Sequence, residues 1–311
     1  MTPPASAARE HSVAERIGFL GIGAMGQPMA ANLLRRGLDV TVLVHRRPEP
    51  ARALESLGAR VAGSLADLIA GCPMVIACLP TSAEVEATVL GPGGVLDAGA
   101  PGGIFVDMGT SRPASTQMLA RRLHEREIAM VDAPITGGVR GAAEGTLTIY
   151  AGGRAEDVAR VRPALDAMGR AIFHMGDIGS GHVTKLLNNM ISLSSMAVLA
   201  EVLPLGVRAG LDPARLVDAL SAGSAAAPML QARSTRILDR EFTPSFQVAL
   251  AHKDLRLAHE LAQEHNLPVP ATTSALLTYT MARSLGLDAE DTVALVKVWE
   301  RLAGVEVKRN A

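Results

Sequence analysis

The sequence predicts two domains of different class: an N-terminal α/β domain built on a parallel sheet, then an all-α C-terminal domain. Three observations carry this. Over the first half, short apolar runs alternate with helical stretches, the pattern of parallel strands joined by crossover helices. Beyond about residue 176 the strand-like runs stop and only helical spacing continues. The chain of 311 residues also exceeds one typical core, while a hydrophobic content of 48% is enough to fill two.

Taken in order, residues 17–20 form the first strand and 26–36 a helix ending near Gly37. Residues 40–44 are a β-branched strand. Short helices are predicted at 51–57 and 65–70, a buried strand at 74–79 stopped by Pro80, and a helix at 82–90. A strand at 104–107 leads to a helix over 112–126, and 129–132 and 147–150 are further strands. One long, largely apolar helix is expected over 183–209, kinked at Pro204. Asp212-Pro213 then supplies an N-cap and a proline at the first helical position, opening a helix over 213–222. Others follow at 246–265, 272–285 and 289–302. These divisions give a lead-in over 1–15, an α/β domain over 16–178 and a helical domain over 179–311. The lead-in is rich in Ala, Pro and Ser and lacks the apolar centre of a signal peptide, so it reads as disordered.

Composition excludes several roles. The chain carries 31 acidic and 30 basic residues, whereas nucleic-acid and membrane-surface binding call for a strong positive field. The least charged stretch, 186–200, contains two Asn and three Ser and is shorter than the ~20 apolar residues of a membrane span; it reads as a buried helix. Cys72 and Cys78 lie in apolar sequence and read as free thiols of a cytoplasmic protein. His174 and His252 have no metal-ligand spacing around them, so no metal site is expected.

Gly21-Ile22-Gly23-Ala24-Met25-Gly26 is a G-x-G-x-x-G loop directly after a strand and at a helix start. A Cβ would hold the backbone away from a pyrophosphate, and the helix N-terminus offers free N–H groups and partial positive charge. In this context the loop predicts a dinucleotide and a Rossmann-type domain. An acid at the end of the second strand would bind the ribose 2′-hydroxyl of NAD; this chain has His45-Arg46-Arg47 there, which favours the 2′-phosphate of NADP, with NAD possible.

The second constellation is Gly179-Ser180-Gly181 through Asn189. Lys185 and Asn189, four residues apart, share one helix face. Burial among residues such as Leu186 and Leu187 would lower the lysine pKa and fit it for acid/base work, although on the residues alone a surface lysine is the commoner outcome. Asn188 reads equally as a substrate contact or an interhelical one. Thr136-Gly137-Gly138 is either an anion-binding turn with exposed N–H groups or a plain loop.

Together, the glycine loop, Asp132-Ala133-Pro134-Ile135-Thr136-Gly137-Gly138, the 179–189 segment and Lys253-Asp254-Leu255 resemble, in order, the motifs of the β-hydroxyacid dehydrogenase family, over about residues 16–305. That family includes 3-hydroxyisobutyrate dehydrogenase and semialdehyde reductases. The resemblance implies hydride transfer between a nicotinamide cofactor and a small anionic 3-hydroxy acid or its semialdehyde. It implies Lys185 as catalytic lysine with Asn189 beside it, Thr136-Gly137-Gly138 as the substrate-carboxylate loop, and Leu79, Pro80, Thr110 and Lys253 near the cofactor. Two positions depart from the family: Thr136 and Gly109 stand where serine is usual. The long helix from Val183 is more apolar than one packing partner requires, which predicts a homodimer or higher homo-oligomer, with the site between the two domains. The rival readings are an imine reductase, which commonly has Asp or Tyr in place of Lys185, and a non-catalytic NADP-sensing module.

Overall fold

A computed structural model describes residues 15–45 and 47–309, with all their side chains except those of residues 228 and 229. Residues 1–14 of the lead-in expected over 1–15, and Arg46, lie outside the described residues, whereas Glu15 is described and pairs with Arg160. The chain forms two compact units: one runs to Gly109 and includes Ser115–Ile178, the other comprises Thr110–Ala114 and everything from Gly179 onward.

The first unit opens with β1 (Ile17–Leu20), α1 (Gly26–Arg35), β2 (Val40–Leu43), α2 (Glu49–Glu55), β3 (Arg60–Ala62), α3 (Leu65–Gly71) and β4 (Met74–Ala77). It continues through α4 (Ser82–Leu90), α5 (Val95–Ala98), β5 (Ile104–Asp107), α6 (Pro113–His124), whose first two residues belong to the second unit, and β6 (Ala129–Asp132). It ends with β7 (Ile135–Thr136), α7 (Gly138–Glu144), β8 (Leu147–Gly152), α8 (Ala155–Met168) and β9 (Gly169–Gly176). The apolar runs of β1, β4 and β5 are buried at every position, as strands covered on both faces must be. Successive residues point to opposite faces, so Phe19, Ile76 and Val106 join one apolar cluster while Leu20, Val75 and Phe105 join another. Local signals fix the helix starts: Ser64 accepts from the Asp67 amide to open α3, and Thr81 and Glu84 form a reciprocal capping box before α4.

Strands run in the order β3-β2-β1-β4-β5-β6, all neighbours parallel. The chain therefore reverses its direction of travel between β1 and β4, where ligands of such sheets bind beyond the carboxyl ends. The expected wholly parallel sheet needs one correction. β8 runs antiparallel to β6 and β7, and parallel only to β9. The strand at 147–150 follows β7 through the seven-residue α7, a return too short for the crossover that a parallel partner needs. Three strands and four helices carry no expectation from sequence. β3 and β9 are largely exposed, so neither shows a buried apolar run; β7 has two residues; and Pro163 interrupts the helical spacing of α8. The very short α5 and α7 lack room for a periodic pattern.

The second unit contains α9 (Ser180–Arg208), α10 (Pro213–Ala222), α11 (Pro228–Leu238), α12 (Val248–Glu264) and α13 (Pro270–Ser284), then a 3₁₀ turn (Thr292–Leu295) and α14 (Val296–Ala303). α11, the fourth of the helices without an expectation, follows Ala-rich sequence with no side-chain cap. The helix expected from Val183 begins three residues earlier, where Gly179 takes a φ of 95° as its N-cap, and it runs on through Pro204 to Arg208. At 29 residues α9 is long and apolar enough to cross a membrane by length and composition, which corrects the expectation of a shorter apolar stretch. Its packing identifies it as a core helix instead: α10, α11, α12, α13 and α14 all lie against it, and Leu193, Met196, Ala200 and Leu203 enter one core with Val248, Leu255, Tyr279 and Val296. Asp212 caps α10 by accepting from the Arg215 amide at 2.8 Å.

Candidate active site

The three glycines of the loop after β1 are needed for three different reasons. Gly21 has a φ of 86°, and a Cβ there would lie 2.3 Å from the Cys78 carbonyl oxygen, so both backbone and space demand glycine. At Gly26 a Cβ would lie 1.9 Å from the Gly21 carbonyl oxygen, so α1 could not start this close to the loop with any other residue. Gly23 is exposed, lies outside the left-handed region, and a Cβ there would meet no protein atom within 4 Å. Nothing in the protein requires glycine at that position; a phosphate drawn up to the backbone does. No side chain caps α1, so its first amides are not taken by a capping oxygen. The loop therefore fits a dinucleotide.

The carboxyl ends of the neighbouring strands are brought level with it. The Cys78 amide donates to the Leu20 carbonyl at 2.9 Å, and the Met108 amide to the Ala77 carbonyl at 2.7 Å. Leu79 reaches to 3.1 Å of the Cβ position of Gly21, and Pro80 follows it at the surface. A Cβ on Gly109 would stand 2.7 Å from the Leu79 carbonyl oxygen, which explains why this chain carries glycine there: the exit of β5 passes too close to the exit of β4 for a side chain. His45 and Arg47 are exposed beyond β2. Thr136 is half-buried, opposite Thr148 on β8. Gly137 and Gly138 follow at φ 128° and 65°, both exposed.

In the second unit, Lys185, Asn188 and Asn189 lie near the start of α9, and Lys253 and Asp254 on α12. The Asn189 amide donates to Asp254 Oδ2 at 2.6 Å, and the Asn188 amide donates to Asn189 Oδ1 at 3.0 Å. Lys253 Nζ is 2.9 Å from Asp254 Oδ1 and donates to the Thr110 carbonyl at 2.7 Å. Burial pushes the Lys185 pKa below its ordinary value; the Asp254 carboxylate opposes this, and the Lys253 ammonium adds to it. A lysine shifted in that direction gives up its proton more readily than an ordinary one, which suits acid/base work. Residues 136–138 and the glycine loop thus belong to the first unit, while Thr110, Lys253 and the 185–189 cluster belong to the second.

From sequence Asp254 reads only as a possible ion-pair partner of Lys253, a pair the structure contains, yet it also joins the cluster through Asn189. The signal was available: its position falls on the apolar face of α12 with Ala251, Leu255 and Ala258, all buried, and an acid on such a face needs partners to stay charged. Among the described residues no group of His, Cys, Asp and Glu is placed to hold a metal ion.

Comparison with known proteins follows the same division. Residues 16–176 match the NAD binding domain of 6-phosphogluconate dehydrogenase, and residues 179–299 match the NAD-binding domain of NADP-dependent 3-hydroxyisobutyrate dehydrogenase. The chain is 38% identical over 293 residues to 2-(hydroxymethyl)glutarate dehydrogenase of Eubacterium barkeri, covering 94% of this chain and 97% of that one. It is 39% identical over 261 residues to a 3-hydroxyisobutyrate dehydrogenase of Pseudomonas aeruginosa, covering 82% and 87%. The crystal structure of a 3-hydroxyisobutyrate dehydrogenase from Salmonella typhimurium superposes with a TM-score of 0.84 at 27% identity, over 91% of this chain and 99% of that one.

Proposed function

The chain belongs to the β-hydroxyacid dehydrogenase family, NAD(P)-dependent oxidoreductases, and from that premise we propose that it interconverts a small 3-hydroxy acid and its semialdehyde with Lys185 as the acid/base. The observation that carries the reading is the cluster on α9 and α12, one turn from Lys185, in which Asn188 donates to Asn189, Asn189 to Asp254, and Lys253 pairs with Asp254; burial lowers the Lys185 pKa beside it. When bound, the nicotinamide takes or supplies the hydride. In the oxidative direction neutral Lys185 accepts the hydroxyl proton as the carbon–oxygen double bond forms; in the reductive direction its ammonium returns that proton to the carbonyl oxygen. Asn189 holds the geometry of the cluster, Asn188 faces the substrate oxygens, and Thr136-Gly137-Gly138 receives the substrate carboxylate on exposed amides. Lys253 donates to the Thr110 carbonyl and is ion-paired with Asp254, which holds its ammonium in place for the cofactor or substrate.

NADP is the preferred cofactor, on the strength of His45, Arg46 and Arg47 after β2 and the absence of an acid there. The protein works as a homodimer in the cytoplasm. Leu187, Ile191, Val198 and Leu205 form an exposed apolar line on α9, with the last three at seven-residue spacing, the pattern of a helix seam. Cys72 and Cys78 are free thiols.

The test is NADPH absorbance with glyoxylate, succinic semialdehyde, 2-hydroxy-3-oxopropionate and methylmalonate semialdehyde, with NADH in parallel and a cyclic imine as control. Turnover of a semialdehyde that collapses in Lys185→Met supports the reading. Turnover of the imine alone would replace it with imine reduction, and NADPH binding without any turnover would make the protein a sensor.

A further inference from the structure

The network around Lys185 contains one carboxylate and two ammonium groups, and the carboxylate is the member that carries no role in the proposed reaction. Asp254 is 2% exposed. A buried carboxylate is costly unless it is partnered; here Oδ2 accepts from the Asn189 amide at 2.6 Å, while Oδ1 accepts no hydrogen bond and is held by its ion pair with Lys253 Nζ at 2.9 Å. An ionised carboxylate only accepts. It therefore fixes which end of the Asn189 side chain is NH₂ and which is oxygen, and the oxygen end in turn receives the Asn188 amide at 3.0 Å. The chain of donors runs in one direction, from Asn188 through Asn189 to Asp254.

The same carboxylate bears on Lys185. Among the described residues, the ionisable groups that act on Lys185 are Asp254 and Lys253, both on α12; α10, α11, α13 and α14 also pack on α9 and contribute none. One negative and one positive group on a single helix thus act on the lysine in opposite directions.

We propose that Asp254 is a positioning residue for the reaction, its carboxylate orienting the Asn188–Asn189 amides, anchoring the Lys253 ammonium and supplying the one negative charge set against two ammonium groups. The inference rests on the acid/base reading of Lys185 and adds what sets that group. Asp254 need not touch substrate or cofactor. Its loss leaves two positive charges in a desolvated cluster and lets the Asn189 amide flip.

The chain contains four lysines, Lys185, Lys253, Lys297 and Lys308, so protein labelled with ¹³C-lysine gives four side-chain signals that are assigned by deleting them one at a time. Titration of the folded protein reads the protonation of Lys185 directly, without substrate. Asp254→Asn is expected to lower the pH at which Lys185 titrates, since a favourable charge is removed. Asp254→Glu is expected to keep it near the native position. Lys253→Gln is expected to raise it, since a like charge is removed. In parallel, kcat of Asp254→Asn falls by about 10- to 100-fold from misplacement of the cluster.

Opposite shifts in Asp254→Asn and Lys253→Gln support the proposal, because a general loosening of the fold moves both the same way. Shifts of one sign, or none, overturn it. If Asp254→Asn does not fold, Lys253→Gln decides alone: a titration no higher than native overturns the proposal. Full turnover in Lys185→Met overturns the acid/base reading itself, whereas collapse of turnover in Lys185→Met with no titration shift in either α12 variant overturns only the role of Asp254.

Discussion

Substituting alanine at each glycine of the loop after β1 separates the glycines that fold the protein from the one that serves its ligand. At Gly23 the new Cβ meets no protein atom within 4 Å and the backbone is outside the left-handed region. Stability should therefore stay level or rise by up to ~1 kcal/mol, because alanine restricts the unfolded chain. The same carbon occupies the space in which the backbone approaches a pyrophosphate. Losing one hydrogen bond from an amide to a charged oxygen costs about 1.5–3 kcal/mol, which is about a 10- to 150-fold weaker NADPH complex. At Gly26 the Cβ would start 1.9 Å from the Gly21 carbonyl oxygen, when real Cβ contacts essentially never fall under 3.0 Å. Both atoms belong to backbone, so the loop and α1 must part by about an ångström, an overpacking cost of about 1–3 kcal/mol or more. Gly21→Ala adds the strain of a φ of 86° to a 2.3 Å approach to Cys78. Urea unfolding gives the stabilities, and quenching or enhancement of NADPH fluorescence gives the affinities. Gly23→Ala with native stability and weakened NADPH is the expected result. Native NADPH affinity in that variant would refute the assignment of the open space to a phosphate, and a destabilised Gly23→Ala would refute the reading of that space as open.

Asp291 gives a pH-dependent stability. Burial raises its pKa, but the Ser245 hydroxyl, Arg236 and the Phe246 and Ser245 amides outweigh this and hold it at about 2. A depressed carboxyl pKa contributes stability that is complete above the ordinary value of 3.8 and is lost as pH falls through about 2; the contribution is about 2 kcal/mol at neutral pH. Asp291→Asn should cost about 2–4 kcal/mol at pH 7 in urea, since Arg233 and Arg236 also lose their shared anion, and the gap from native should narrow as pH falls from 4 towards 2. The oxidative kcat should rise with pH along a limb centred below the ordinary lysine value of 10.5, because burial lowers Lys185; a profile flat across that range would remove Lys185 from proton transfer. Replacing Arg46 and Arg47 together by Asp and Ser should reverse the NADPH to NADH preference in kcat/KM, with Gly23 and the chemistry untouched. Ile191→Glu, at an α9 position 74% exposed, should turn the proposed dimer into a monomer by light scattering at micromolar concentration, and a native protein that is already monomeric would dispose of the seam.

How far the sequence discloses this protein depends on the range over which each signal acts. β1, β4 and β5 are legible because strands covered on both faces are written as unbroken apolar runs, and the start of α10 is legible because Asp212 and Pro213 act within one turn. The direction of β8 is not, since its apolar residues are the same whichever way its neighbours run; only its pairing with β6 and β7 fixes that. The edge strands β3 and β9 lack the apolar run itself. At the site the contrast is sharper. Gly21, Gly23 and Gly26 are visible as a motif, but the motif cannot say which glycine is held by φ, which by a neighbouring carbonyl and which by a ligand. Those are distances to Cys78, to Gly21 and to nothing. Gly109 likewise reads as a departure from a serine until the Leu79 carbonyl is seen beside it.

The same limit governs the lysine cluster. Spacing places Lys185 and Asn189 on one face of a helix, and that is all a single helix can state. What would fit the lysine for the proposed proton transfer is supplied from a distance in sequence: Asn189 meets Asp254, 65 residues on. Burial alone would favour a neutral amine, and a neutral amine is a poor acid for returning a proton to a carbonyl. A nearby carboxylate alone would favour the ammonium, a poor base. A group that must serve both directions of a reversible oxidation requires the two influences to oppose one another, and α12 carries the opposing charge in Asp254 with Lys253 to moderate it. An isolated Lys185 on the same apolar helix would be expected to catalyse one direction at the expense of the other. The ratio of forward to reverse kcat at fixed pH in Asp254→Asn is the quantity that reports this. It should move towards oxidation, because the neutral amine gains population; a ratio that moves towards reduction would contradict the assignment of Lys185 as the group that exchanges the proton.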